Sequence, residues 1–211
     1  MAGDERLIAL IRRGREDAFE VLLERYRPRL LAFCSNMLRS PEDAEDVMQE
    51  VMVSVHRAIR ADDRPILAKP WLYRIARNRC LNELRRNTAA SVESMDVFET
   101  NEPTASETVE RREHIEEIVT DVKRLPEQQR AALLLREMEG LPYQQIAAVL
   151  ETTVPSVKSL LVRARIGLAE GAEARIMVCS DAHDALQSDD DAARKTARRH
   201  VRHCGDCAVP A

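Results

Sequence analysis

The stretch LPYQQIAAVLETTVPSVKSLLVRAR, Leu141 to Arg165, decides the fold. After Leu141-Pro142 the segment YQQIAAVL carries its apolar residues at helical spacing, Glu151-Thr152-Thr153 interrupts it, and a second helix opens near Val154-Pro155 and runs past Arg165. Two short helices across so short a turn form a helix-turn-helix. The second helix carries Ser156, Lys158, Ser159, Arg163 and Arg165, with no acidic residue between Thr152 and Ala169. Such a helix can enter a major groove, where Lys and Arg reach phosphates or guanine edges. Taken alone, the pattern also suits an ordinary helical corner.

Working outward, the rest of the chain reads as helix too. Its 211 residues are 45% hydrophobic and 32% charged with only six glycines, a balance that predicts an all-α protein of two small units rather than one large domain. Phe19, Leu22, Leu23, Tyr26, Leu30, Phe33, Cys34 and Met37 recur on one helix face, and Pro28 is expected to kink or break that helix. Ser40-Pro41 caps a second helix whose buried face would be Ala44, Val47, Met48, Val51, Val55 and Ile59. A third, from about Lys69 to Arg86, puts Leu72, Ile75, Ala76, Cys80 and Leu84 on one side and Arg74, Arg77, Asn78 and Arg85 on the other. From Thr88 to Glu110 the chain has six acidic residues and no basic ones, the composition of a flexible linker. Ile115, Ile118, Val119 and Val122 then resume helical spacing, Leu125-Pro126 opens a further helix, and Gly140 is its stop signal.

The formal charge is −4, so any binding to nucleic acid must come from local patches. One lies between Arg64 and Arg86, where seven Lys or Arg residues face one acid, Glu83, and where Trp71 and Tyr73 could stack on unpaired bases. A solvated helix face around a core tryptophan fits the same charges. Ahead of it, Glu42 and Asp43 suit the dipole of a helix N-terminus, whereas Asp46, Gln49 and Glu50 lie beyond the first turn and offer a polar face to a basic partner surface.

Five cysteines in a chain without the apolar core of a signal peptide argue against a disulfide framework. Cys34 and Cys80 fall on apolar helix faces and read as small buried hydrophobes. In the tail, His200-x3-Cys204-x2-Cys207 with Cys179 upstream supplies four ligands of the kind tetrahedral zinc takes, with His203 and His183 as spare donors. Unmetallated cysteines and a thiol redox switch remain open as alternatives.

Taken together, residues 18–58 (AFEVLLERYRPRLLAFCSNMLRSPEDAEDVMQEVMVSVHRA), 70–86 (PWLYRIARNRCLNELRR) and 125–165 (LPEQQRAALLLREMEG followed by the helix-turn-helix) resemble the extracytoplasmic-function (ECF) sigma factors of bacterial RNA polymerase. The resemblance implies a binding factor in four parts: 1–87 as sigma region 2, 88–110 as linker, 111–176 as sigma region 4, and 177–211 as the tail. It implies that Asp43, Asp46, Gln49 and Glu50 bind core RNA polymerase. Trp71, Arg74, Arg77 and Asn78 would work at the −10 element of promoter DNA, with Arg85 a further DNA-binding residue, and Ser156, Lys158, Ser159 and Arg163 at the −35 element. Asn82 and Leu160 depart from the family, where an acidic residue and an arginine are usual. The tail's spacing resembles a zinc-binding anti-sigma fold, which would make it a built-in regulator or a mere stabiliser of the C-terminus, and a separate anti-sigma factor is a further expected partner.

Other functions fit less well. No apolar run reaches the roughly 20 residues a bilayer requires, so a cytoplasmic protein without a membrane partner is expected. An enzyme would need a phosphate-binding glycine loop, a nucleophile elbow or an open metal site, and none is visible. A helix-turn-helix regulator acting without polymerase would leave PWLYRIARN unexplained.

Overall fold

The computed structural model describes residues 3–38, 40–90 and 117–202 together with Cys204 and Cys207, without the side chains of 88–90. Most of the expected linker, Ile115 and His203 therefore lie outside the described residues. Among the described residues the structure is helical throughout, and no helix is long and apolar enough to cross a membrane.

The first unit packs α1 (Asp4–Arg12), α2 (Glu16–Met37), α3 (Pro41–Ala61) and α4 (Ala68–Ala90) around one core. The sequence gives little warning of α1. It lays Leu7, Ile8 and Ile11 on the core, and its Asp4 takes both Arg25 and the Tyr26 hydroxyl of α2. Arg12 closes the far end of α3, whose last carbonyls have no helical partner, by donating to the backbone oxygens of Ile59, Asp63 and Arg64 at 3.3, 3.2 and 2.6 Å.

Helix α2 runs unbroken through Pro28, contrary to the break that proline allows. Leu22, Tyr26, Leu30, Phe33, Cys34 and Met37 form one buried stripe across the proline, and that packing outweighs the roughly 3 kcal/mol that an interior proline costs a helix. In α3 the Ser40 hydroxyl accepts from the Asp43 amide at 3.2 Å, and all six residues of the expected face are buried. Phe33 and Tyr73 meet edge to face at 5.3 Å, and Cys34 and Cys80 are fully buried beneath them. A hydrogen bond with the Cys34 thiol, together with burial, holds the Cys80 thiol far above the usual thiol range.

The second unit comprises α5 (described over 117–124), α6 (Glu127–Glu137), α7 (Tyr143–Leu150) and α8 (Val154–Ile176). Gly140, at φ +64°, ends α6 as expected, because the left-handed turn lets its amide and that of Leu141 satisfy the carbonyls of Arg136 and Leu135. A second left-handed residue, Glu151 at φ 54°, makes the turn of the helix-turn-helix, and Thr153 caps α8 by accepting from the Ser156 amide. The tail is a pair of short helices, α9 (Cys179–Leu186) and α10 (Asp191–Val201), docked on α8.

The two units touch through α2 with α6 and α4 with α7. Glu139, whose side chain is 3% exposed, sits in the turn after α6 with Lys69 at 3.3 Å and Arg29 at 3.4 Å, while its carbonyl accepts from Lys69 at 2.6 Å. Burial and this carboxylate hold the nearby Tyr73 in its phenol form. Arg130, also buried, donates to the Met37 carbonyl at 2.7 Å and the Leu125 carbonyl at 3.2 Å. Arg130→Ala should therefore lower unfolding stability by about 2 kcal/mol, since two buried acceptors lose a charged donor. Urea denaturation followed by circular dichroism measures this, and Arg130→Lys should recover only part of the loss because it cannot fork between the two carbonyls.

Candidate nucleic-acid interface and metal centre

On α3 the polar side chains Asp43, Asp46, Gln49 and Glu50 come together on one side of the helix. Asp46, Gln49 and Glu50 are exposed, and Asp43 is half-buried, where it accepts from Asn87 at 2.9 Å. Arg79 reaches across from α4 to Glu50 at 3.4 Å and to the Ser54 hydroxyl at 2.8 Å, so the acidic face is held in shape by its neighbour.

At the start of α4, Trp71 and Arg74 line a concavity of about 610 Å³. Its other walls include Arg64, Ile66 and Leu67 of the preceding loop and Ala148 of α7. Arg64 opens the basic stretch read from the sequence, whereas Ile66 and Leu67 were not named there individually. Leu67 is 66% exposed. Asn78 is exposed one turn beyond Arg74, and Arg85 lies 11 residues along the helix, roughly 16 Å from it.

Arg77 departs from the expected basic face. It is 6% exposed, its Nη1 donates to the Asn78 amide oxygen at 3.2 Å, and its Nε has no hydrogen-bond partner. Desolvation pulls its pKa down. The helical wheel put Arg77 with Arg74 and Asn78, but a wheel built on one apolar face cannot foresee that α7 covers a second side of α4.

On α8 the side chains of Lys158, Ser159 and Arg163 are exposed, as a groove-entering face requires. Ser156 is half-buried and its hydroxyl sits 3.0 Å from that of Thr153, part of the cap. Leu160, where the family usually has arginine, packs against the core.

The four tail ligands converge. Cys179 opens α9, His200 lies in the last turn of α10, and the Cys204 amide donates to the His200 carbonyl at 2.8 Å, which keeps Cys204 one turn further on. The sulfur atoms of the three cysteines and a ring nitrogen of His200 all lie within 4.8 Å of one another. Cys179 and Cys204 sulfurs are 3.6 Å apart, and Cys207 sulfur is 3.5 Å from His200 Nε2. A tetrahedron with Zn–S about 2.3 Å and Zn–N about 2.0–2.1 Å has edges of roughly 3.6–3.8 Å, so the cluster has the size of a zinc site. His200 Nδ1 lies 2.9 Å from the Ala174 carbonyl of α8, a contact in which Nδ1–H donates and leaves the Nε2 lone pair facing the cysteines. Desolvation, followed by hydrogen bonds with Cys179 and Cys204, pushes the Cys207 thiol up to about 12. His183, the spare donor, is exposed and outside the cluster.

Residues 22–90 match the family Sigma-70 region 2, and residues 116–166 match Sigma-70 region 4. RNA polymerase sigma-H factor of Pseudomonas aeruginosa is 34% identical over 173 residues, 77% of this chain and 90% of the relative. ECF RNA polymerase sigma-E factor of Escherichia coli K12 is 32% identical with the same coverage. The chain belongs to the ECF RNA polymerase sigma factors. This sigma factor is a transcription initiation protein that works with core RNA polymerase on promoter DNA, and the alternative of a regulator acting without polymerase is not favoured. Its fold is also that of solved sigma factors. CnrH, solved in complex with the cytosolic domain of CnrY, has a TM-score of 0.60 at 24% identity, covering 79% of this chain and 94% of that one. RpoE of Bartonella quintana, solved in complex with the anti-sigma factor NepR, has a TM-score of 0.59 at 21% identity, covering 74% and 96%. All four tail ligands lie beyond residue 166, where the region 4 match ends.

The tail of this sigma factor is fastened to α8 by Glu170, which takes Lys195 at 2.6 Å and Arg199 at 3.1 Å, and by Arg199 donating to the Gly167 carbonyl at 3.0 Å. The Lys195 hydrogen bond and the two positive charges lower the pKa of Glu170. Its contribution to docking is thus complete above the ordinary carboxylate range and is lost as pH falls through the lowered pKa. Glu170→Gln should remove that contribution at neutral pH, seen as faster hydrogen exchange of α10 amides with α6 and α7 unchanged.

Proposed function

We propose that this sigma factor divides into region 2 at 1–87, a linker at 88–110, region 4 at 111–176 and a zinc-binding tail at 177–211, working in the cytoplasm. Asp43, Asp46, Gln49 and Glu50 dock on core polymerase. Trp71, Arg74, Arg77 and Asn78 recognise and open the −10 element, with Arg85 on the flanking backbone, and Ser156, Lys158, Ser159 and Arg163 hold the −35 element. One zinc ion on Cys179, His200, Cys204 and Cys207 folds the tail against α8, so that metal occupancy modulates region 4. The observation that carries the metal assignment is the convergence of three sulfurs and a correctly oriented imidazole at tetrahedral spacing. Zinc supplies no reaction here. It replaces the hydrophobic core that so short and polar a segment lacks.

Arg77 constrains the mechanism. For it to meet DNA, α7 must move off α4, so the two units separate when the protein engages polymerase. CnrH was solved with the cytosolic domain of CnrY and RpoE with the anti-sigma factor NepR, and we extend to this protein a separate anti-sigma factor as a further partner.

Asn78→Ala should impair promoter opening while leaving affinity for core polymerase unchanged, because a lost base contact costs roughly 1–3 kcal/mol at the melted strand alone. Permanganate footprinting of the open complex reads this, and equal reactivity would remove Asn78 from the proposal. Metal analysis of the purified chain should find one zinc per protein, lost in a Cys204→Ser, Cys207→Ser double variant. If that variant and a chain ending at Ile176 transcribe no better than wild type, the tail does not inhibit in cis.

A further inference from the structure

The zinc assignment explains His200 but not the helix that carries it. Between Ala192 and Arg202, α10 and its C-cap have five Lys or Arg residues and no acidic one, in a protein of net charge −4. Three of them are committed locally, Arg194 to Asp191 and Lys195 and Arg199 to Glu170. Arg198 and Arg202 remain exposed, and no carboxylate among the described residues pairs with them. Together with Arg194, Lys195 and Asp191 they line a shallow basic concavity of about 410 Å³.

Position gives this charge a direction. Lys195 reaches Glu170, Arg199 reaches as far as Gly167, and Arg199 and Arg202 share a cleft of about 600 Å³ with Arg163 of α8 and Arg124 of α5. The basic surface of the tail is therefore continuous with the helix face assigned to the −35 element. We propose that α10 extends the DNA-binding surface of region 4, with Arg198 and Arg202 contacting the phosphate backbone beside the −35 element. The inference rests on the reading of α8 as the groove-entering helix. The partner is duplex DNA because exposed guanidinium groups without a carboxylate partner, beside the helix proposed to hold phosphates, lengthen its track without a new fold, and each neutralised phosphate releases counterions. The tail then modulates region 4 by adding affinity, and zinc holds the added helix in place.

The test uses holoenzyme assembled from core polymerase and the full chain, binding a promoter fragment that bears the −35 element over a series of salt concentrations. Arg198→Gln, Arg202→Gln should lower the slope of log affinity against log salt by about two units, and Lys158→Ala by about one. Zinc content and core-binding affinity should match wild type in both. An unchanged slope in the tail variant, with the Lys158 variant lowered, overturns the proposal and leaves α8 as the reader. Unchanged slopes in both overturn it together with the reading of α8. Weaker binding to core polymerase instead overturns it in favour of an acidic protein surface as the partner of α10, and stronger promoter binding makes the tail an inhibitor. Should the double variant lose zinc, Arg198→Gln alone decides, with an expected fall of about one unit and no change overturning the proposal.

Discussion

A carboxylate that is 3% exposed has to be paired, and Glu139 meets that demand by drawing Lys69 and Arg29 across the boundary between the two helical units. Much of the surface chemistry follows from this contact. With α7 held against α4, Arg77 is covered and Ala148 forms one wall of the concavity around Trp71 and Arg74. The Glu139 contact is one of pairing and desolvation, and it stands beside the apolar contacts that join the two units in one core. The Arg77 Nε, buried without a hydrogen-bond partner, is a cost of this closed arrangement.

The elements that sequence made legible are those whose signal is local. Ser40-Pro41, Thr153 and Gly140 mark helix ends through chemistry contained within a few residues, and the structure places caps or turns at each. The apolar stripe of α3 was readable for the same reason, since one face buries and the other does not. Helix α4 was less readable because α7, far along the chain, packs on it in addition to α2 and α3, and both Tyr73 and Arg77 are buried; helix α1 was missed because so short a helix gives a weak periodicity. Proline 28 misleads for a related reason: its local penalty is outweighed by contacts that only the folded core supplies. The candidate metal ligands, by contrast, could be picked out by donor type and spacing, although the His200 contact with Ala174 that orients the imidazole could not.

Helix α8 ties the outer parts together. Its first half carries the exposed Lys158, Ser159 and Arg163, and its second half supplies Gly167, Glu170 and Ala174 to the tail. Gly171 permits a close approach on this helix, since a side chain there would meet the Asp121 carboxylate at 3.0 Å. Asp121 in turn holds Arg175 and Arg124. The tail thus leans on a surface already braced by α5, which is how a segment of two short helices gains a fixed position without a core of its own.

The five thiols fall into two populations with different access to solvent. Cys34 and Cys80 are sealed at 0% exposure between α2 and α4, whereas Cys179, Cys204 and Cys207 stand half-exposed in the tail. A thiol-specific reagent will therefore run two clocks in one molecule. The fast clock times the opening of the tail, and the slow one times the global unfolding of the first unit, because nothing short of parting its helices uncovers that pair. Chemical labelling followed by mass spectrometry can in this way follow the loosening of one end of the protein and the survival of the other in the same sample.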